Sequence, residues 1–170
     1  MEGMQALDLA NRKNRIMDEA AFNPMQALAE RLGWPPQQFH MSHLKGEDDF
    51  IAGAGLRSYS KSRDMGFAAA TGGLAQVHVN KRAKPFNAKD VSIPHFHDVL
   101  FHMVYVLKGT AKCEFEGYGV CEVREGSCWI QPPGIKHVIL DYSDDYEILE
   151  VILPAQYDTF NIEKMPEAKG

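Results

Sequence analysis

The chain has 170 residues, enough for one domain with its own core and no need of disulfides to hold it. Its formal net charge of −5 argues against a nucleic-acid partner, and no apolar run approaches the roughly 20 residues that a membrane-spanning helix needs. Three cysteines without CxxC spacing suit a reducing compartment, and the polar start (Glu2, Asp8, Arg12, Lys13, Arg15) carries no signal-peptide pattern, so the expected location is cytoplasmic.

In chain order, residues 4–21 tolerate helix, with Leu7, Ala10, Ile16, Met17 and Ala20 as a modest apolar stripe. A second helix is framed by Asn23 as cap, Pro24 at its first position and Gly33 past its end, before Trp34-Pro35-Pro36 forces an extended connector. Residues 46–49 read as a solvated loop. From about residue 50, short apolar runs broken by glycine and proline predict strands near 51–59, 74–81, 91–97, 100–107, 111–116, 120–123, 127–131, 137–142 and 146–153. Turns at Gly109, Gly117-Tyr118-Gly119 and Pro132-Pro133-Gly134 separate them, which makes the chain an all-β sandwich or barrel. The organisation is a helical extension over 1–48, a β-barrel over 49–156 and a C-terminal tail over 157–170, expected to fray from Pro154 onward.

Four histidines stand out. Positions two apart in a strand face the same side, so His95 and His97 project together. His102 follows far enough on to return to that face, and His137 arrives from a distant strand. Neutral imidazoles converging inside a barrel form a transition-metal site with room for water or substrate, and such nitrogens suit Mn, Fe, Co, Ni, Cu or Zn better than Ca or Mg.

These residues resemble the two motifs of the cupin superfamily. The first is matched by His95, His97, His102 and Gly109, and the second by Gly126, Pro132, Gly134 and His137, so the motifs span about 90–141 and the strand pattern about 70–155. The resemblance implies a double-stranded β-helix or jelly-roll barrel, one divalent metal on His95, His97, His102 and His137, and a homodimer. One identity departs from the family: His102 stands where a glutamate is usual. With imidazole in place of a carboxylate, the metal charge is uncompensated by protein, which favours an anionic substrate. Asp98 and Asp141, beside the histidines, are either candidates to orient them or ordinary turn and edge residues.

Further residues are candidates for the cavity. Alternation over 111–116 and 120–124 puts Lys112, Glu114, Glu116, Glu122 and Arg124 outward and Cys113, Phe115, Cys121 and Val123 inward. Cys121, and behind it Cys113, are therefore candidates for proton or sulfur transfer, against the plain alternative of core cysteines. Cys128 reads as structural. Gln76, His78 and Asn80 form a polar strand face, expected to meet solvent unless it lines the barrel. Glu150, inside an apolar run, is either an edge residue or a cavity acid. Met103–Leu107 is apolar on both faces, so its outer side needs cover.

The leading functional expectation is a metal-dependent enzyme that enolises a small oxygenated anion. Within it the chain resembles the manganese cupins that move the methylthio group of methylthioxylulose 5-phosphate to a thiol co-substrate, giving 1-deoxyxylulose 5-phosphate. That resemblance implies manganese, with Fe, Ni, Co or Zn as alternatives, an inward thiol such as Cys121, and phosphate binding by the Lys81, Arg82 and Lys84 cluster. By itself that cluster reads as a solvated loop or as a guide for a phosphorylated or carboxylated substrate toward the barrel mouth. Two other classes stand beside it. A non-haem iron dioxygenase of a diketone or hydroxylated aromatic acid would want barrel arginines, for which Arg57 and Arg63 are the upstream donors. A non-catalytic regulatory cupin would want a DNA-binding domain, and residues 1–45 are too short for one.

Overall fold

A computed structural model describes residues 33–53 and 58–167. The helices expected over 4–21 and from Asn23 up to Gly33 lie outside the described residues. The connector 34–46 carries no regular element and ends in a 3-10 turn at Glu47–Asp49.

The strands are β1 (Ile51–Ala52), β2 (Ser60–Asp64), β3 (Gln76–Arg82), β4 (His95–His97), β5 (Phe101–Lys108), β6 (Thr110–Phe115), β7 (Gly119–Arg124), β8 (Cys128–Ile130), β9 (His137–Tyr142), β10 (Glu147–Leu153) and β11 (Thr159–Asn161). Short helices α1 (Phe67–Ala70) and α2 (Ala88–Val91) interrupt them. Two sheets face each other in strand order β1-β2-β3-β10-β5-β8 and β11-β4-β9-β6-β7, and every pairing is antiparallel. Among the described residues no helix is long and apolar enough to cross a membrane.

Alternation builds the core. Ala111, Cys113 and Phe115 of β6 are buried while Thr110 and Lys112 are exposed, and Cys113 lies opposite Cys121 across the β6–β7 hairpin. Val104 and Val106 of β5 join them with Tyr59, Tyr142, Tyr146 and Ile148. Burying such side chains contributes about 1.5–3 kcal/mol each. On the outer face of β5, Tyr105 and Leu107 are each 38% exposed.

The glycines of the two motifs are structural. Gly109 turns β5 into β6 at φ +73°, and a Cβ there would lie 2.9 Å from the Tyr146 backbone. Gly134 also has positive φ (+73°), and its N–H donates to the His97 carbonyl at 3.1 Å, so the second motif is tied directly to the first.

Several expectations are corrected. The strand expected over 51–59 is present only as β1, with Ser58 and Tyr59 in a turn and 54–57 outside the described residues. The strand expected from 91 begins at His95, because the Asn87 side chain accepts from Lys89 N–H at 3.1 Å and starts α2. The tail expected to fray instead supplies β11, which pairs with β4 in register Thr159↔His97. Asp98 Oδ1 fastens it by accepting from the Asp158 N–H at 2.6 Å. The expectation that the polar face of β3 meets solvent also fails: His78 is buried, because that face turns inward, where His78 and Asn80 meet Glu150 and Asn80 lines a cavity.

Candidate metal centre

His95 and His97 lie on β4 with Phe96 between them turned to the other side, where it stacks on Phe160 of β11. His137 opens β9 and pairs in register with His95. The ring centroids of His95 and His137 are 4.3 Å apart, those of His95 and His97 5.1 Å, and those of His97 and His137 5.3 Å. One ring nitrogen from each of the three falls within 4.8 Å of the others.

The neighbours of these rings select their tautomers. His95 Nδ1 donates to the Ile93 carbonyl at 2.8 Å, and His137 Nδ1 to the Ile135 carbonyl at 3.1 Å. A carbonyl can only accept, so in each neutral ring Nδ1 carries the proton and Nε2 the lone pair. His97 Nδ1 meets the Thr159 hydroxyl at 2.9 Å, which can fix the same tautomer. Burial, with His95 beside it, pushes the pKa of His137 down to about 3, so at neutral pH it is an uncharged ligand.

His102 stands beside the triad rather than in it. Its ring centroid is 5.5 Å from that of His97, and the cluster of converging nitrogens comprises His95, His97 and His137. Its Nε2 donates to Glu150 Oε1 at 2.9 Å. Glu150 Oε2 accepts from His78 Nε2 at 2.8 Å and from the Asn80 side-chain amide. Burial alone would raise the Glu150 pKa, but the hydrogen bonds from His102 and His78 outweigh it and hold the carboxyl well below the usual range. An ionised carboxylate only accepts, so His102 carries a proton on Nε2, and in the neutral ring Nδ1 then holds the lone pair. That Nδ1 is buried and has no hydrogen-bond partner among the described residues.

Of the two alternatives for Glu150, the structure therefore realises the cavity acid. The carboxylate reaches His102 from β10, the strand beside β5, and so stands one imidazole removed from the triad. The triad, His102, Glu150 and Asn80 line one cavity of about 70 Å³, room for a few waters or one small ligand group.

The cysteines divide. Cys113 lines this cavity, but burial, with Cys121 opposite, pushes its thiol up to about 12. Cys121 lines an adjoining apolar groove with Tyr118, Pro132 and Ile135, separated from the histidines by Phe115 and Trp129, which border both spaces. Cys128, expected to be structural, is exposed on the rim of the same groove. Asp98 and Asp141 do not orient the histidines: Asp98 holds β11 and Asp141 Oδ1 accepts from the Tyr142 N–H.

The basic cluster is also taken apart. Lys81 is paired with Glu47, and Lys84 contacts the Ser58 hydroxyl at 3.4 Å, while Arg82 turns into the histidine cavity. Arg63, one of the two expected barrel donors, is held outside the cavity by the Ser42 hydroxyl at 2.7 Å and Asp49 at 3.9 Å, and Arg57 lies outside the described residues. Sequence reasoning overlooked Thr159 and placed Arg82 in the basic cluster before the metal motif rather than in the cavity. Arg82 has the parity of Asn80, which would have signalled its direction once β3 was known to extend through it.

No family model matches the sequence, and no curated protein matches it. Solved structures do match. The polyketide cyclase RemF from Streptomyces resistomycificus superposes with a TM-score of 0.54 at 19% identity, over 75% of this chain and 89% of that one. KdgF from Halomonas sp. gives a TM-score of 0.54 at 16% identity, over 68% and 96%. An oxalate decarboxylase from Lactobacillus farciminis, in complex with formate, gives 0.52 at 16% identity, over 68% of this chain and 34% of that one. A Klebsiella pneumoniae protein described as having a double-stranded beta-helix domain gives 0.52 at 17% identity. The likeness is one of fold: two antiparallel sheets of short strands, the arrangement of a double-stranded β-helix.

Proposed function

We propose that the protein is a metal-dependent cupin enzyme that enolises a small oxygenated anion, with a divalent transition metal held by His95, His97 and His137. The observation that carries this reading is the convergence of three imidazoles, two of them, His95 and His137, with the Nε2 lone pair selected by a carbonyl behind Nδ1. This donor set fits a metal such as manganese, iron, cobalt, nickel or zinc. When bound, the metal supplies Lewis acidity to a substrate carbonyl oxygen.

The chain's own residues do the rest. His102, oriented by Glu150, presents Nδ1 as a buried proton acceptor for a C–H beside the carbonyl. Glu150 stays ionised and stabilises the imidazolium that results, and His78 and Asn80 fix the carboxylate from the far side. Phe115 and Trp129 close the cavity on the groove side and limit water. In this reading His102 is the base; the fourth-ligand role expected for it is the competing assignment.

Methylthio transfer finds less support, since it needs a reactive thiol beside the histidines. Cys113 stays protonated and Cys121 lies in the other groove. A homodimer packed through the outer face of β5 and β8 completes the proposal, supported by exposed Tyr105, Leu107 and Ile130 on neighbouring strands.

The test is exchange of substrate C–H for deuterium in heavy water, with small 2-hydroxy and 2-oxo carboxylates and the metal-loaded protein, under nitrogen and under air. Exchange independent of oxygen supports enolisation, and it should vanish in His102→Gln with metal content kept. Turnover only with oxygen consumption moves the protein to the dioxygenase class. Loss of metal from His102→Gln makes His102 the fourth ligand.

A further inference from the structure

Four buried side-chain polar atoms lack a hydrogen-bond partner among the described residues: Arg82 Nε, His102 Nδ1, Trp129 Nε1 and Gln131 Oε1. All four belong to residues that line the histidine cavity. Orphaned buried polar atoms are costly and uncommon, so their collection on residues around one small space singles that space out. With the His102 nitrogen assigned to proton transfer, Arg82 is the charged member of the remaining set.

Arg82 is built for an anion in the cavity. Its guanidinium carbon lies 5.4 Å from the Tyr59 ring centroid, 5.2 Å from Tyr142 and 5.4 Å from Tyr146. Aromatic rings hold a guanidinium by its faces and leave the in-plane N–H donors unspent. Among the described residues no carboxylate pairs with Arg82, although acidic partners hold Lys81, Lys108, Lys112 and Lys136. Glu150, which shares the cavity, is committed to His78, His102 and Asn80. Neighbouring phenols and a thiol stay neutral, since burial pushes Tyr146 and Cys113 upward. The cation is caged and its donor edge is unused.

We infer that Arg82 is the substrate-carboxylate anchor of this cavity, so that the ligand class is a small carboxylate with a second oxygen function for the histidine end. The inference rests on the metal-centre reading and adds the substrate class to it. The cavity volume of about 70 Å³ favours a compact carboxylate over a sugar phosphate. Trp129 and Gln131, which line the same cavity, carry one further unpartnered donor and one acceptor.

The probe is malonate, with acetate and inorganic phosphate beside it, titrated by calorimetry into metal-loaded wild-type, Arg82→Gln and Arg82→Lys proteins. Metal content is read by elemental analysis and folding by circular dichroism. Malonate should bind wild type more tightly than acetate or phosphate. Arg82→Gln should weaken malonate about 10- to 100-fold with metal content unchanged, the loss expected for a charge-assisted hydrogen-bonded anchor. Arg82→Lys, which keeps the charge without the fork, should fall between and guards against a folding defect in the glutamine variant. Equal malonate affinity in wild type and Arg82→Gln overturns the inference, and preference for phosphate overturns the carboxylate class. Metal present without malonate binding sinks the Arg82 anchor and leaves the metal centre standing, whereas no metal under any loading sinks both.

Discussion

Glu150→Gln is the most informative single substitution, because the carboxylate holds two histidines in chosen tautomers. Oε2 accepts from His78 Nε2 at 2.8 Å and from the Asn80 amide, and Oε1 accepts from His102 Nε2 at 2.9 Å. A glutamine whose carbonyl oxygen takes the Oε2 place keeps the first two bonds. Its NH₂ then faces the His102 Nε2–H, donor against donor. His102 must shift its proton to Nδ1, which removes the lone pair from the cavity. Hydrogen bonds to charged groups are worth about 1.5–3 kcal/mol each. One such bond is exchanged for a neutral one and two are weakened, while the neutral amide avoids part of the cost of burying charge. We therefore expect metal-free Glu150→Gln to be less stable by about 1–3 kcal/mol at neutral pH in urea unfolding. Nitrogen-15 NMR of the imidazoles should show His102 protonated at Nδ1, and catalysed deuterium exchange should disappear. Stability within about 0.5 kcal/mol of wild type, with His102 still protonated at Nε2, would refute the reasoning.

Other consequences can be checked beside it. His137 titrates at about 3 when folded and near its ordinary 6.5 when unfolded, so the unfolded chain binds more protons between those values. Metal-free protein should then lose stability as pH falls through that window, by about 1.4 kcal/mol per pH unit for one proton, and His137→Gln should flatten the slope. Glu150 acts in the same direction at lower pH, since its depressed pKa gives stability that is present above the ordinary carboxyl value and lost as acid protonates the folded state. Thr159→Val removes the hydroxyl from His97 Nδ1 and should weaken metal binding about 10-fold in competition with a chelator, without unfolding β11. With an aromatic disulfide reagent at about pH 8, exposed Cys128 should react first and Cys113 only on unfolding, as its raised pKa requires. Gly109→Ala, forced to positive φ against the Tyr146 backbone, should cost about 1–3 kcal/mol in the same urea assay.

The barrel was legible in the sequence where one face of a strand is dry and the other wet. β6 and β7 alternate cleanly, and Cys113, Phe115 and Val123 lie inward as their parity requires. The signal fails where that contrast is missing. β2 (Ser60–Asp64) has no apolar residue and is recruited by pairing with β3, and β11 is a short, exposed strand held by register with β4. β3 carries polar residues into the interior because their partners come from elsewhere: His78 and Asn80 meet Glu150 across the β3–β10 pair. For the same reason the triad could be read from motif spacing while the Glu150 link could not. Strand neighbours far apart in sequence create it, and a local pattern holds no trace of them. Arg82 was hidden differently, by adjacency to Lys81 and Lys84, which made an inward cation look like part of a solvated loop.

The most direct test of the account is elemental analysis of protein purified without added metal or chelator, beside His97→Ala and His137→Ala proteins that remain folded by circular dichroism. The account predicts close to one transition-metal ion per chain in wild type and almost none in either variant. A wild-type protein that stays metal-free after loading with manganese, iron, cobalt, nickel or zinc, or a His97→Ala protein that keeps its metal, would contradict it.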